Sequence, residues 1–155
     1  MTRFTAQNPA YKERIVDSFR RQGYMTYLGA RLVDVEAGKV IIELPIRPQL
    51  SQQHGFVHAG ALASIADSAC GYAALSLMPA GSQVLSVEFK VNMLSPAQGV
   101  RVLASGEVIK PGRTITVCRA DVFSISAQGE EKLCANMQAT MIRREGKRLS
   151  AVANL

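Results

Sequence analysis

The chain has 155 residues, enough for one domain with a hydrophobic core and too few for two. Hydrophobic residues make up 48% of the chain and charged residues 19%, a composition that excludes an intrinsically disordered protein. The formal net charge of +6 favours anionic partners in general. The basic cluster at 143–148 has no aromatic residues between its charges, so we predict a solvated tail and no nucleic-acid partner.

The beginning of the chain predicts a short amphipathic helix. Asn8 and Pro9 suit an N-cap followed by the first helical residue, and the helical pattern ends near Gly23. The apolar residues at helical spacing are Tyr11, Ile15 and Phe19. The first residues lack the apolar core of a secretory signal, so we expect a cytoplasmic protein.

The three cysteines, Cys70, Cys118 and Cys134, form no CxxC pair and lie in apolar surroundings. An odd number without such spacing predicts neither a disulfide framework nor a zinc site. We expect all three to be small core residues in a reducing compartment. The sequence indicates no metal and no other cofactor.

Alternating apolar residues predict about six strands. Residues 31–46 give two strands around a turn at Ala37 and Gly38. Four more strands follow in the second half of the chain, at 83–94, 100–110, 113–126 and 131–143. Turn signals that contain Pro or Gly separate them, and such short connections imply antiparallel neighbours.

Between the second and third strands, residues 57–78 predict one long helix that ends at Pro79 and Gly81. This helix is apolar nearly all round, so it must be covered on most sides, and an antiparallel sheet curled around it provides that cover. We therefore predict an α+β fold in a single domain, with a lead-in at 1–27, a core at 28–143 and a basic tail at 144–155. A membrane span is disfavoured because Asp67 lies in the middle of the helix.

Asp67 is the only Asp, Glu, Lys or Arg between Arg47 and Glu88. It lies on a stripe of small residues, which would let a second helix or a narrow substrate approach the backbone. The stripe comprises Gly60, Ala63, Ser64, Cys70, Gly71 and Ala74. Two interpretations stay open: a hydrogen-bonded carboxylate inside a helix–helix contact, or a reactive carboxylate in a site.

The segment that leads into the helix is suited to bind an oxygen that carries negative charge. Residues 54–60 bring the chain into the helix N-terminus, where backbone N–H groups are unpaired and the helix dipole is positive. Small side chains there leave room for a carbonyl oxygen to reach the N–H donors. With a carboxylate as base or nucleophile, this helix start forms the second part of an acyl-transfer site.

The spacing of these two parts predicts a homodimer. Ala59 and Asp67 are eight residues apart in the sequence, which separates them by about 12 Å along a helix. One reacting carbonyl cannot contact both groups within a single chain. A dimer with antiparallel central helices would bring the helix start of one chain to the carboxylate of the other and create two equivalent sites.

The motif around these residues resembles that of the hotdog-fold thioesterases, specifically acyl-CoA thioesterases of the phenylacetic-acid-degradation (PaaI-like) type. The family pattern is an amide residue, His-Gly, two residues, His-Gly-Gly, and an Asp seven residues after the last Gly. Here it reads Gln52, Gln53 and HGFVHAG at 54–60, followed by ALASIA and Asp67. Ala59 replaces the first Gly of His-Gly-Gly, and Gln52 stands at an amide position that is often Asn.

The resemblance extends beyond the helix. The strand and turn at 84–97 and the basic turn at 110–113 are similar to the corresponding family elements, so the resemblance covers about 29–142. It implies hydrolysis of acyl-CoA in a homodimer, and pairs of dimers are common in the family. It implies no cofactor.

The resemblance also implies roles for individual residues. Asp67 would be the catalytic carboxylate, and the N–H of Ala59, assisted by Gly60, would polarise the thioester carbonyl from the other subunit. Gln52 would position the water or the carbonyl. The remaining positions are His58, which would brace the turn or contact the thioester, Ser86, which would help to hold the water, and His54, which is either a site residue or a turn histidine.

Coenzyme A carries several phosphate charges, so a basic rim would suit it. The candidates are Lys90, Lys110, Arg113 and Arg119. Arg113 is favoured because it follows a Pro-Gly turn, but each of the four is equally well explained as a solvated charge on a strand.

Two other functions stay open. A non-catalytic acyl-CoA-binding protein would use the same fold, because sites rather than folds carry function. An enoyl-thioester hydratase or dehydratase in related families normally pairs a helix histidine with a carboxylate. Neither His54 nor His58 lies inside the predicted helix body, which counts against that activity.

Overall fold

The computed structural model describes residues 4–146. Its helices are α1 at Tyr11–Arg20, α2 at Gly23–Leu28 and α3 at Ala59–Ser76, with a 3₁₀ turn at Pro48–Leu50. Its strands are β1 at Arg31–Glu36, β2 at Lys39–Pro45, β3 at Ser82–Met93, β4 at Arg101–Lys110, β5 at Ile115–Ile125 and β6 at Glu131–Glu145. The predicted α+β class, with six strands and one long helix, is confirmed.

The six strands form one antiparallel sheet in the order β1-β2-β4-β5-β6-β3. The first and third strands in the sequence therefore lie at the two edges of the sheet. Among residues 4–146, β3 pairs only with β6, although it has 12 residues. One side of this long strand consequently carries backbone N–H and C=O groups without a neighbouring strand among residues 4–146.

Helix α3 packs on one face of the sheet and contacts all six strands. Its sheet-facing residues, such as Leu62, Ile65 and Ala69, are buried. The contact is closest at Gly106 of β4, where an added Cβ would lie 2.7 Å from the backbone nitrogen of Cys70. Only glycine permits this approach, so α3 lies almost directly on the strand.

The small-residue stripe of α3 is divided between core and surface. Cys70 and Ala74 are fully buried in the core, whereas Asp67 and Gly71 are partly exposed. Cys118 and Cys134 are buried as well, as predicted for small core residues, and all three cysteines are free. The part of the stripe open to a partner therefore runs from Gly60 to Gly71 rather than to Ala74.

The N-terminal prediction was partly wrong. Asn8 does not cap the helix: its Oδ1 accepts a hydrogen bond from the Ala10 N–H at 3.1 Å, which makes a separate turn, and α1 begins at Tyr11. The sequence pattern also missed α2. That helix has only six residues and ends at Gly29, whose φ of 79° is the left-handed conformation that favours glycine.

The C-terminal boundary also differs from the prediction. β6 continues to Glu145, two residues past the predicted end, so Arg144 and Glu145 belong to the strand rather than to the tail. The rest of the predicted basic tail, 147–155, lies outside the described residues. Within the described part of the chain, no helix combines the length and the hydropathy that a bilayer crossing requires.

Candidate active site

Asp67 lies in the middle of α3, on the side that faces the beginning of β3. The hydroxyl of Ser86 in β3 donates a hydrogen bond of 2.6 Å to Oδ1 of Asp67. The Ser86 side chain also lies 3.4 Å from the sulfur of Met141 in β6. The hydrogen bond fixes the orientation of the carboxylate, and it places Ser86, predicted to help hold the water, beside Asp67.

Two effects on the pKa of Asp67 oppose each other. Burial raises the pKa of this carboxyl above its ordinary value, because removal from water disfavours the charged form. The hydrogen bond from Ser86 lowers the pKa, because it stabilises that form. Burial is the larger effect, so Asp67 binds a proton more readily than an exposed aspartate does.

A cavity of about 700 Å³, here called the Asp67 cavity, opens beside this carboxylate. Its walls come from α3, the first half of β3 and helix α1. Ser68 and Tyr72 of α3 line it together with Ser82 and Ser86 of β3. The carboxylate therefore faces a space large enough for part of an organic substrate.

The start of α3 is held by His58. Its Nδ1 accepts a hydrogen bond of 2.8 Å from the N–H of Gly60, and its carbonyl accepts one from Ala61. The N–H of Gly60 is therefore occupied, which weakens its predicted role beside Ala59. The N–H of Ala59 has no acceptor among residues 4–146. Ala59 is the first helical residue, a conformation that alanine adopts without strain.

The loop before α3 forms a tight turn. The Phe56 carbonyl accepts a hydrogen bond of 2.8 Å from the Gln52 N–H. Gly55 has a φ of 86°, a left-handed conformation that explains why glycine follows His54. The side-chain oxygen of Gln52 accepts a hydrogen bond from the backbone N–H of His54. Among the described residues the imidazole of His54 forms no hydrogen bond or ion pair, and it lines neither the Asp67 cavity nor the cavity at the start of α3, so its turn role is the better supported one.

A second cavity of about 380 Å³, here called the Ala59 cavity, lies at the start of α3. Gln52, Ala59 and Leu62 line one side, and Met93 and Leu94 at the end of β3 line the other. Neither Asp67 nor Ser86 lines it. The chain thus brings the predicted site residues together in two separate groups, one at each end of β3.

The four predicted basic residues lie apart from both groups. Arg113 lines a third cavity, of about 370 Å³, at the C-terminal end of α3, and Lys110 is exposed at the other end of the same hairpin. Arg119 and Lys90 both lie opposite Gln138 of β6. The neighbours of Arg119 in β5 are buried towards α3, so side-chain alternation puts Arg119 and Lys90 on the outer face of the sheet.

Arg119 also forms an ion pair. Its guanidinium lies 3.0 Å from the carboxylate of Glu107, which lies 3.4 Å from the ammonium of Lys39 as well. These cations lower the pKa of Glu107. Arg119 therefore belongs to an ion-pair row on the outer face rather than to the site.

The sequence analysis missed the contribution of α1. Arg14 and Ser18 of α1 line the Asp67 cavity together with Arg21 and Gln22, which follow α1, and Ser68 of α3 donates a hydrogen bond of 3.2 Å to Gln22. The signal was available, because these four residues recur at helical spacing beside the apolar stripe of α1. Across the described part of the chain, no three histidine, cysteine or carboxylate side chains are grouped to hold a metal ion.

Comparisons with known proteins identify relatives. Residues 54–129 match the family described as the thioesterase superfamily. The crystal structure of a thioesterase family protein from Silicibacter pomeroyi is 48% identical in sequence and superposes with a TM-score of 0.86, covering 88% of this chain and 99% of that one. The 1,4-dihydroxy-2-naphthoyl-CoA hydrolase of Listeria monocytogenes is 25% identical over 125 residues, which covers 81% of this chain and 99% of the relative.

A likeness of fold extends to the PaaI protein of the Escherichia coli phenylacetic acid degradation operon, with a TM-score of 0.79 at 19% identity over 92% of this chain and 99% of that one. The curated relatives are matched over 64% to 99% of their own lengths. The predicted resemblance is confirmed: the chain belongs to the thioesterase superfamily, and its antiparallel sheet around one long helix is the hotdog fold of these thioester hydrolases.

Proposed function

We propose that the protein is an acyl-CoA thioesterase that hydrolyses the thioester bond to a free acid and coenzyme A. The observation that carries the proposal is the Asp67 carboxylate, which is partly buried beside a cavity of about 700 Å³ and bonded to Ser86 at 2.6 Å. The Listeria relative, whose name describes a hydrolase of a CoA ester, supports this substrate class.

In the proposed reaction Asp67 acts either as a base towards water or as the nucleophile, and both roles require the ionised carboxylate. As a base, Asp67 takes a proton from a water molecule whose oxygen attacks the carbonyl carbon. The C–S bond then breaks, and the departing thiolate of coenzyme A takes up a proton. Ser86 occupies Oδ1 of the carboxylate, which leaves Oδ2 for the water.

The negative charge that develops on the carbonyl oxygen needs a donor, and the N–H of Ala59 fits that role. It is the first N–H of an 18-residue helix and has no acceptor among the described residues. A donor at a helix N-terminus also benefits from the positive end of the helix dipole. We infer that Gln52, which lines the same cavity, orients the carbonyl or the water.

A homodimer would unite the two groups, and β3 is the element best suited to form it. Several of its large apolar side chains are exposed, among them Leu85 at 45%, Val87 at 55% and Phe89 at 43%. A long, apolar edge strand of this kind pairs readily with a second copy. β3 is interrupted by a bulge between Ser86 and Glu88, close to its centre.

Antiparallel pairing of two β3 strands about a two-fold axis near their centres would join the cavities. The first half of β3 borders the Asp67 cavity, and its last residue, Met93, borders the Ala59 cavity. In such a pair the first half of one strand faces the second half of the other. The Asp67 cavity of one copy would then meet the Ala59 cavity of the other, as a composite site requires.

Coenzyme A would extend from this site over basic residues of the rim. Arg113 and Lys110 are the better candidates, because both are exposed at the β4–β5 turn and neither forms an ion pair among residues 4–146. Lys90 and Arg119, on the outer face, are less suited to contact it.

The direct test is release of free thiol from acyl-CoA esters of short, medium, long and aromatic acyl groups. We expect hydrolysis by the wild-type protein and a loss of at least ~10²-fold in kcat in Asp67→Asn, since general acid–base catalysis contributes that much. Binding of acyl-CoA without thiol release would instead establish a non-catalytic binding protein. Full activity in Asp67→Asn would make the carboxylate structural.

The dimer has its own test in light scattering. Val87→Lys puts a charge into the proposed interface, so we expect monomers without activity. The matched control is Val33→Lys on β1, the opposite edge, because Val33 is 56% exposed and Val87 55%. An active monomeric wild-type protein would overturn the composite site. The pairing of dimers into a tetramer and the cytoplasmic location stay predictions.

A further inference from the structure

The wall that α1 and the two residues after it supply to the Asp67 cavity is polar. Arg14, Ser18, Arg21 and Gln22 all face the cavity, whereas its apolar side chains come from other elements. Those apolar residues are Leu75, Val84, Leu85 and Met141. A cavity built for a hydrocarbon chain would be lined mainly by apolar residues, so this wall points to a ligand group that forms hydrogen bonds.

Arg14 is the least expected member of this wall. Its guanidinium is partly buried and donates to the carbonyl of Pro79 at 3.0 Å and to the carbonyl of Ser82. No carboxylate lies within ion-pair distance of it among residues 4–146. Burial lowers the pKa of Arg14. Buried cations in proteins are normally paired with an anion, and a guanidinium with five N–H donors retains unused ones after two such bonds.

A hydroxyl without a partner lies next to Arg14. Ser82 is only 5% exposed and lines the Asp67 cavity, and its hydroxyl has no hydrogen-bond partner among the described residues. Ser18 and Tyr72 add a pair of hydroxyl groups 3.3 Å apart. Burial raises the pKa of Tyr72, while the hydrogen bond with Ser18 and the charge of Arg21 act against that rise. Two cations and three hydroxyls thus gather at one end of the cavity.

This polar end lies at a defined distance from the reaction centre. Tyr72 and Leu75 follow Asp67 by five and eight residues on α3, which corresponds to about 7–12 Å along the helix. Ser82 precedes Ser86 by four residues on β3, about 13 Å along a strand. Arg14 bridges from α1 to the carbonyls at both ends of the α3–β3 turn, so α1 covers this end of the cavity. A covered end suits the acyl part of a substrate, because the nucleotide part must reach solvent.

We propose that the Asp67 cavity selects acyl groups whose far end carries a carboxylate, that is, monothioesters of dicarboxylic acids with about six to eight carbons. Arg14 and Arg21 would balance the charge of the carboxylate, and the hydroxyl groups of Ser82 and Tyr72 would donate to it. This inference rests on the proposed thioesterase function and adds the substrate class.

The test compares chains of equal length that differ only at the far end: adipyl-CoA with hexanoyl-CoA, and suberyl-CoA with octanoyl-CoA. We expect kcat/KM to be at least ~10-fold higher for the dicarboxylic members, since hydrogen bonds to a charged group are the strong ones. Arg14→Met should abolish this preference. Arg20→Met is the control, because Arg20 lies on the same helix and is exposed outside the cavity.

Arg14 also holds the α3–β3 turn, so its replacement could change the fold of the cavity as well as its charge. A second variant therefore accompanies it. Ser82→Ala breaks no hydrogen bond among the described residues, and it should lower the ratio of kcat/KM for suberyl-CoA to that for octanoyl-CoA about threefold, the effect of one lost hydrogen bond. Equal or higher kcat/KM for the monocarboxylic esters in the wild type would overturn the proposal. So would an equal rise in KM for both esters in Arg14→Met, which would assign Arg14 to the coenzyme part.

A binding measurement separates this inference from the proposed function. Free suberate should raise the Tm of the wild-type protein, whereas octanoate at the same concentration should not. If no ester is hydrolysed but suberate alone stabilises the protein, the cavity assignment stands and the thioesterase proposal fails. If esters are hydrolysed but the two acids act alike, the cavity assignment fails.

Discussion

The Asp67 cavity and the Ala59 cavity lie on the same helix but differ in chemistry. The Asp67 cavity is bordered by a carboxylate and by polar side chains from α1, α3 and β3. The Ala59 cavity is bordered mainly by apolar side chains, with the free N–H of Ala59 at the helix start. In the proposed reaction the Asp67 cavity supplies the base and the Ala59 cavity supplies the backbone donor for the oxyanion. If both groups act on one carbonyl, a second copy must bring them together.

The largest expected effect concerns the donor of the Ala59 cavity. Ala59→Pro removes the N–H, and the backbone accepts proline there because this is the first helical position and His58 before it is extended, with φ −63° and ψ 137°. We expect kcat to fall about 10²–10³-fold, the usual effect of losing one oxyanion donor. Ala59→Gly keeps the N–H and serves as the control. If the proline variant is as active as the glycine variant, the donor lies elsewhere.

The next largest effect is on KM, and it should distinguish a basic residue that lines a cavity from one on the outer face of the sheet. Arg113→Gln should raise KM for acyl-CoA about five-fold, the effect of ~1 kcal/mol in binding. Arg119→Gln should leave KM unchanged, because its guanidinium is bound to Glu107 on the outer face. Steady-state kinetics on one acyl-CoA decides between them. A larger rise in the Arg119 variant would mean that coenzyme A crosses the outer face.

The hydrogen bond from Ser86 to Asp67 should affect the pH dependence of kcat/KM. The ionised carboxylate is the active form, so activity falls as pH drops through the pKa of Asp67. The Ser86 hydrogen bond lowers that pKa, and Ser86→Ala should therefore move the acidic limb of the kcat/KM profile to higher pH. Ser86→Thr keeps a hydroxyl and should leave the limb nearly in place. An unmoved limb in both variants would assign it to another group.

The smallest expected effect is on stability. Asp67→Asn should raise the Tm by a few degrees at neutral pH, because it removes the cost of burying a charge at a functional site. The folded-state pKa of Asp67 is raised above its ordinary value of 3.8, so the folded protein holds this proton more tightly. The advantage of the variant should be full above the raised pKa and should vanish below 3.8. A constant gain at every pH, measured by thermal unfolding, would point to packing instead.

Much of the fold follows from sequence patterns. The central strands were predictable because one face of each is buried on α3, which imposes alternation, as in β2 and β4. The long helix was predicted because it is apolar nearly all round. Asp67 stood out as the one carboxylate within it. α2 was missed because a six-residue helix gives too few turns for a periodic signal.

The candidate site was predictable in its motif residues but not in its walls. Alternation determines which strand residues share a face, but only the strand order reveals that Arg119 and Lys90 share the face away from α3. The occupation of the Gly60 N–H by His58 depends on a side-chain rotamer that no spacing specifies. The polar stripe of α1 was visible in the sequence, but nothing there linked it to a cavity 45 residues further along the chain.

The most direct test of the composite site mixes two inactive variants. Ala59→Pro chains contribute the carboxylate and Asp67→Asn chains contribute the free N–H, so a mixed dimer contains one complete site and one that lacks both groups. After unfolding and refolding together in equal amounts, half of the dimers are mixed, and we expect about a quarter of wild-type thiol release. If the mixture is as inactive as each variant alone, while the dimers form, the carboxylate and the donor act within one chain and the account is wrong.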